Sequence, residues 1–269
     1  LIPFVKAHAC GNDFLIVETE FVPEEQRRET AVRLCARNTG VGADGVEYVT
    51  WEGEEPPRIH LFNADGSTAE ISGNGTRCVA AWIARAQSLS AEDSFCLATD
   101  AGGRECRVVR EGARSFEIAI GMGIPKVAPG SVVLASGARI EGAVVSMGNP
   151  HFVIFVDDES FSVAGESWET VGRQICFHGD FPAQTNVEFV HAAGPEDIAI
   201  RIFERGVGPT FSSGTGTCAS AAAAIALRGL SSRLLVLAPG GAQVVEWQGG
   251  EAEMTLTGAA ELIAAGEAF

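Results

Sequence analysis

The chain has 269 residues, 46% of them hydrophobic and 20% charged, with 32 glycines and a formal net charge of −16. Length and apolar content predict about two compact domains with real cores, and the acidic balance argues against a nucleic-acid ligand, whose phosphates require Lys and Arg. No stretch approaches the roughly 18 uninterrupted apolar residues of a membrane span. Seven cysteines, with no CxxC pair, read as free thiols in a reducing, cytoplasmic setting.

Leu1 to His8 and Phe14 to Glu18 read as strands around the turn Cys10-Gly11-Asn12-Asp13. Pro23-Glu24-Glu25 opens a helix running to about Arg37, because proline in the first turn and acids at the positive helix end are start signals. A Gly-rich loop from Asn38 to Gly45 leads into strands at Val46 to Thr50 and Arg58 to Asn63. Gly75 to about Gln87 reads as a helix apolar on most faces, hence buried. Ser94 to Gly121 reads as a strand meander, and Gly121 to Gly130, with Gly, Pro and no period, as the linker. Beyond it come strands within Ala143 to Val156, a helix from Ser167 to Phe177, and strands at Thr185 to Val190 and Ile198 to Phe203. A second uncharged helix follows from Gly216 to Arg228, then a hairpin across Pro239-Gly240-Gly241.

The second series repeats the first. Phe62 to Thr76 (FNADGSTAEISGNGT) aligns without gaps on Phe203 to Thr217 (FERGVGPTFSSGTGT), 141 residues later. At the same offset Val46-Glu47-Tyr48-Val49 meets Val187-Glu188-Phe189-Val190, and Cys35 meets Cys176. Gly11-Asn12 resembles Gly148-Asn149 ahead of a like strand. A period this long means two copies of one domain rather than a solenoid. The expected halves are residues 1–125 and 126–269, with residues 255–269 able to pack back onto the first.

Each copy places a serine and glycines before its apolar helix: Ser72-Gly73-Asn74-Gly75 and Ser213-Gly214-Thr215-Gly216. Unpaired N–H groups at a helix start bind carboxylate or phosphate, and glycine lets a ligand approach the backbone. Two such starts facing one ligand would set the side chains at 72 and 213 on opposite sides of an α-carbon, the arrangement for two-base proton exchange. Ordinary N-capping explains the same two serines and stays open. Neither turn carries a P-loop Lys. The five histidines show no ligand spacing, so no metal is expected.

At these residues the chain resembles the diaminopimelate epimerase family. The resemblance is carried by His8-Ala9-Cys10-Gly11-Asn12-Asp13-Phe14, Gly40-Val41-Gly42-Ala43-Asp44-Gly45, Phe62-Asn63-Ala64-Asp65-Gly66-Ser67, Gly73-Asn74-Gly75-Thr76-Arg77-Cys78, Ser146-Met147-Gly148-Asn149-Pro150-His151, Thr185-Asn186-Val187, Phe203-Glu204-Arg205-Gly206 and Pro239-Gly240-Gly241. It implies an α/β fold of the α+β type. Two pseudo-symmetric domains, each a mostly antiparallel sheet around a central apolar helix, would share an interdomain cleft. It implies a cofactor-free isomerase that interconverts LL- and meso-2,6-diaminopimelate in lysine and peptidoglycan biosynthesis, and a homodimer. Its substrate contacts fall on Asn12, Asn63, Asn149, Asn186, Glu204 and Arg205, with the backbone of Gly73, Asn74, Gly214 and Thr215 holding the reacting carboxylate and His151 assisting. Arg205 would fork onto the distal carboxylate and Glu204 pair with the distal ammonium.

One departure stands out. The resemblance implies cysteine at positions 72 and 213, and this chain has serine at both. A thiol ionises near neutrality at a helix start, whereas a serine hydroxyl does not, and the sequence suggests no strong base beside either. Severely reduced turnover is expected. Three accounts fit: a double Cys→Ser substitution made to trap ligand or avoid oxidation, a homologue that binds without turnover, or one with altered chemistry. Cys78 and Cys218, inside the following helices, read as small buried hydrophobes and not as replacement bases. A racemase of another amino acid is a further alternative.

Overall fold

The computed structural model describes residues 1–53 and 55–269. They form two compact units, one made of residues 1–121 and 257–269, the other of residues 122–256.

In the first unit the order is β1 (Ile2–Ala9), β2 (Asn12–Glu18), α1 (Arg27–Cys35), β3 (Gly45–Thr50), β4 (Arg58–Asn63), β5 (Thr68–Ala69), α2 (Gly73–Ala86), β6 (Ser94–Thr99), β7 (Gly102–Arg110) and β8 (Ser115–Gly123), whose last residues enter the second unit. The second continues with β9 (Lys126–Val133), β10 (Arg139–Ser146), β11 (Pro150–Val156), α3 (Trp168–Cys176), β12 (Asn186–Ala192), β13 (Asp197–Glu204), β14 (Gly208–Thr210), α4 (Gly214–Arg228), β15 (Arg233–Ala238) and β16 (Gly241–Glu246). The last strand, β17 (Met254–Ala268), belongs to the first unit from Thr257 onward.

The duplication read from the sequence is also a duplication of pairing. β1–β2 is antiparallel, β2–β3 parallel, β3–β4 antiparallel, β4–β6 parallel and β6–β7 antiparallel. The series β10–β11, β11–β12, β12–β13, β13–β15 and β15–β16 repeats those senses in order. Even the register matches: Phe14 sits opposite Gly45 as His151 sits opposite Asn186. These are mixed α+β units, mostly strand.

Each unit is built around one helix. α2 buries eleven of its fourteen residues and packs on β1, β2 and β7. α4, GTGTCASAAAAIALR, buries the run from Gly214 to Ala224 among β9–β13, β15 and β16. Small side chains let the strands approach such a helix from several directions. On the outer face, α1 covers Leu15, Val17, Val46 and Tyr48, and α3 covers Phe152, Val187, Phe189 and Phe203.

Three expectations need adjustment. Gly121 to Gly130 is not an irregular linker: β8 runs to Gly123 and β9 begins at Lys126. Both central helices start two residues earlier than expected, at Gly73 and Gly214, because serine capping recruits the glycines into the first turn. The helix expected from Pro23 begins as a 3-10 turn over Glu24–Gln26 and becomes α-helical at Arg27.

Candidate active site

Ser72 and Ser213 are both N-caps. Each has extended backbone, and its Oγ accepts a hydrogen bond from the backbone N–H three residues on: Gly75 at 3.1 Å and Gly216 at 3.3 Å. That bond satisfies one donor of the first turn.

In the first unit, Asn12 and Asn74 come together beside Ser72. Asn74 Nδ2 donates to Asn12 Oδ1 at 3.2 Å, and Asn12 Nδ2 donates to Asp44 Oδ2 at 2.7 Å. Arg77, fully buried, donates from Nη2 to Asn74 Oδ1 at 2.6 Å. Asp44 is itself held: Arg37 Nη2 lies 2.7 Å from Asp44 Oδ1 and 2.8 Å from Asp13 Oδ1, and Lys6 Nζ is 3.0 Å from Asp13 Oδ2. Burial pushes the Asp13 carboxyl up, but bonds from Arg37 and Lys6 outweigh it and hold it below the usual range. Asp13 in turn raises Arg37 further. Asn63, opposite Gly45 at the end of β4, donates to Ser67 Oγ at 3.0 Å within its turn.

In the second unit a chain of contacts runs from Ser213 inward. Ser213 Oγ meets Thr215 Oγ1 at 3.5 Å, Asn149 Nδ2 donates to Thr215 Oγ1 at 3.4 Å, and Asn149 Oδ1 meets His151 Nε2 at 2.9 Å. His151 Nδ1 then meets Glu188 Oε1 at 2.8 Å, both side chains fully buried. Asn186 links a second group: its Nδ2 donates to Pro150 O at 3.1 Å, and its Oδ1 accepts from the Arg205 backbone N–H at 2.9 Å. The exposed Arg205 side chain donates to Ala183 O. Glu204, half-buried, ends β13.

Sequence reasoning missed two carboxyls. Glu47 on β3 and Glu188 on β12 occupy equivalent places in the duplication, each under the first turn of the central helix. A Cβ added to Gly75 would lie 1.9 Å from Glu47 Oε1, and one added to Gly216 would lie 2.9 Å from Glu188 Oε1. Burial drives Glu47 up to about 8, with Asp100 adding to the shift. Burial also raises Glu188, partly opposed by His151. The signal was available: a glutamate amid an otherwise apolar strand, at matched positions in both copies.

Cys78 is fully buried, and burial pushes its thiol far above neutrality, so it makes no base. Among the described residues, no group of three or more His, Cys, Asp or Glu is placed to hold a metal, and no helix is long and apolar enough to cross a membrane.

Comparison with known proteins agrees along the whole chain. Solved structures show the fold. A Bacillus anthracis phenazine biosynthesis protein of the PhzF family superposes with a TM-score of 0.71 at 15% identity, covering 100% of this chain and 99% of that one. A hydroxyproline epimerase from Agrobacterium vitis, with trans-4-hydroxy-L-proline bound, gives 0.69 at 16%, covering 98% and 90%. The diaminopimelate epimerase of Moorella thermoacetica is 39% identical, covering 96% of this chain and 95% of its own. Diaminopimelate epimerase 1 of a Nostoc species is 35% identical, covering 99% of both. The family profile for diaminopimelate epimerase matches residues 4–127 and 143–263. The chain therefore belongs to the diaminopimelate epimerase family of isomerases.

Proposed function

We propose that this protein binds 2,6-diaminopimelate and exchanges the proton at one α-carbon without a cofactor, interconverting the LL and meso forms in lysine and peptidoglycan biosynthesis. Two-base chemistry needs an acid/base group for each face of the stereocentre, and each unit offers one, Ser72 or Ser213. The carrying observation is the matched pair of serine-capped helix starts in two duplicated units. The N–H groups of Gly73, Asn74, Gly214 and Thr215 suit the reacting carboxylate, whose negative charge grows as the α-proton leaves. Asn12, Asn63, Asn149 and Asn186 can bind amino and carboxylate groups without net charge. Glu204 and Arg205 suit the distal ammonium and carboxylate. His151 assists in this reading, and the protein works in the cytoplasm as a homodimer.

Serine at both acid/base positions favours a second reading, in which the protein binds the diamino diacid with little or no turnover. Isothermal calorimetry together with α-proton exchange in D₂O separates the two. Ser72→Cys with Ser213→Cys is expected to raise exchange by several orders of magnitude. A double variant that neither exchanges nor epimerises diaminopimelate would overturn the substrate assignment. Arg205→Ala is expected to weaken diaminopimelate far more than a monocarboxylate analogue, and equal losses would remove the distal role.

A further inference from the structure

The two units keep one contact and exchange what supports it. In each, an asparagine at the head of a strand bonds the second residue of the central helix: Asn12 with Asn74, and Asn149 with Thr215. The support behind Asn12 is Asp44. Its place 141 residues on is taken by Thr185, a buried residue whose hydroxyl is spent on the Asn186 carbonyl. The support behind Asn149 is His151. Its place in the first unit is taken by Phe14, which is buried and cannot bond.

The two supports have opposite polarity. Three donors converge on Asp44: Arg37 Nη2 at 2.7 Å on Oδ1, with Asn12 Nδ2 at 2.7 Å and the Asp13 N–H at 3.1 Å on Oδ2. A carboxylate only accepts, so it claims the NH2 end of Asn12. The Asn12 carbonyl is left for Asn74, whose own carbonyl is taken by the donor-only guanidinium of Arg77. In the second unit the Asn149 carbonyl meets His151 Nε2 at 2.9 Å. A carbonyl only accepts, so Nε2 carries a hydrogen whichever partner holds the proton between Nδ1 and Glu188. The NH2 end of Asn149 turns to Thr215. α2 is therefore met by a carbonyl, and α4 by an amide N–H.

A carboxamide is nearly symmetric in shape, and only its surroundings decide which end is which. Both asparagines are half-buried, and among the described residues each keeps one N–H and one carbonyl lone pair unspent. Resting on the reading of bound diaminopimelate above, we propose that Asp44 and His151 are positioning residues for that ligand: they lock the Asn12 and Asn149 amides in opposite orientations before it arrives. Binding is then spared the cost of ordering either amide. Arg37 holds Asp44, and Glu188 holds His151, at one further remove. His151, fully buried with both ring nitrogens engaged, acts through Asn149 and not on substrate itself.

Two measurements on the full chain test this: solvent exchange of the Asn12 and Asn149 side-chain amides by NMR, and calorimetric binding of meso-diaminopimelate. Asp44→Asn keeps the shape but can donate as well as accept. It is expected to speed exchange of the Asn12 amide severalfold, leave that of Asn149 unchanged and weaken binding about tenfold. His151→Phe, made with Glu188→Gln so that no carboxyl is stranded, is expected to loosen Asn149, spare Asn12 and weaken binding to a like degree. His151→Gln can still donate to the Asn149 carbonyl and is expected to bind within about threefold of the parent. Asp44 is exposed, so its variant decides the matter even where the buried pair tolerates no change. Unchanged amide exchange in Asp44→Asn overturns the proposal, as does altered exchange with unchanged binding. Equal weakening by His151→Gln and His151→Phe overturns the positioning role of His151. No binding by the unaltered chain overturns the diaminopimelate reading itself, and the proposal with it.

Discussion

Glu47 shows how burial of one side chain ties stability to pH. Its folded-state ionisation lies near 8, against an ordinary 4.5, because burial disfavours the anion. A carboxyl raised in this way contributes stability that is complete below the unfolded value and lost as pH rises through the folded one. Between about pH 4.5 and 8 the protein is therefore expected to lose on the order of a few kcal/mol through this group. Glu47→Gln should remove most of that slope, so the variant melts higher than the parent at pH 8 and gains little at pH 4.5. Thermal melts across that range read the difference, and parallel curves for the two proteins would place the ionisation elsewhere. Ser72 and Ser213 were legible from sequence because capping is a local act, decided by neighbours within one turn. Glu47 was not, because its isolation is set by Phe14 on β2 and Gly75 on α2, residues brought to it only by folding.

At the scale of elements, the first turns of α2 and α4 are packed against carboxyls that leave no room for a side chain. Alanine is ordinarily the better helix former than glycine by about 1 kcal/mol. At Gly75 the sign should reverse, because the new methyl would strike the Glu47 carboxyl in a space already full. A net loss of about 1–2 kcal/mol is expected from overpacking. The same substitution should cost less in a Glu47→Ala background, and a urea double-mutant cycle measures that coupling. Strands and helices themselves were readable: alternation, serine caps and Gly-Gly turns fixed their order. What the pattern could not reveal was the pairing sense of β2 with β3 or of β11 with β12, since the residues bridging those strands lie far apart in the chain. The contacts of Asn12 with Asn74, and of Asn149 with Thr215, depend on that pairing.

For the whole molecule, the duplication was legible because the repeat survives as an aligned segment with a constant offset. Which strands each copy owns was harder to read, since β17 pairs along β1 from Ile2 opposite Ala268 to His8 opposite Glu261. Residues 257–269 are therefore part of the first unit's sheet. Truncation after Leu256 is expected to strip amide protection from β1 while β12 and β13 keep theirs, a contrast that hydrogen exchange resolves by segment. Uniform loss across both units would mean that neither stands without the other.

The same strand sets an order of events at the ribosome. Residues 122–256 emerge as an uninterrupted block and can settle as soon as they clear the exit tunnel. Residues 1–121 must wait, their β1 edge unmatched, until residues 257–269 arrive. During that interval residues 1–121 are the segment most open to chaperones and to mispairing with a neighbouring nascent chain.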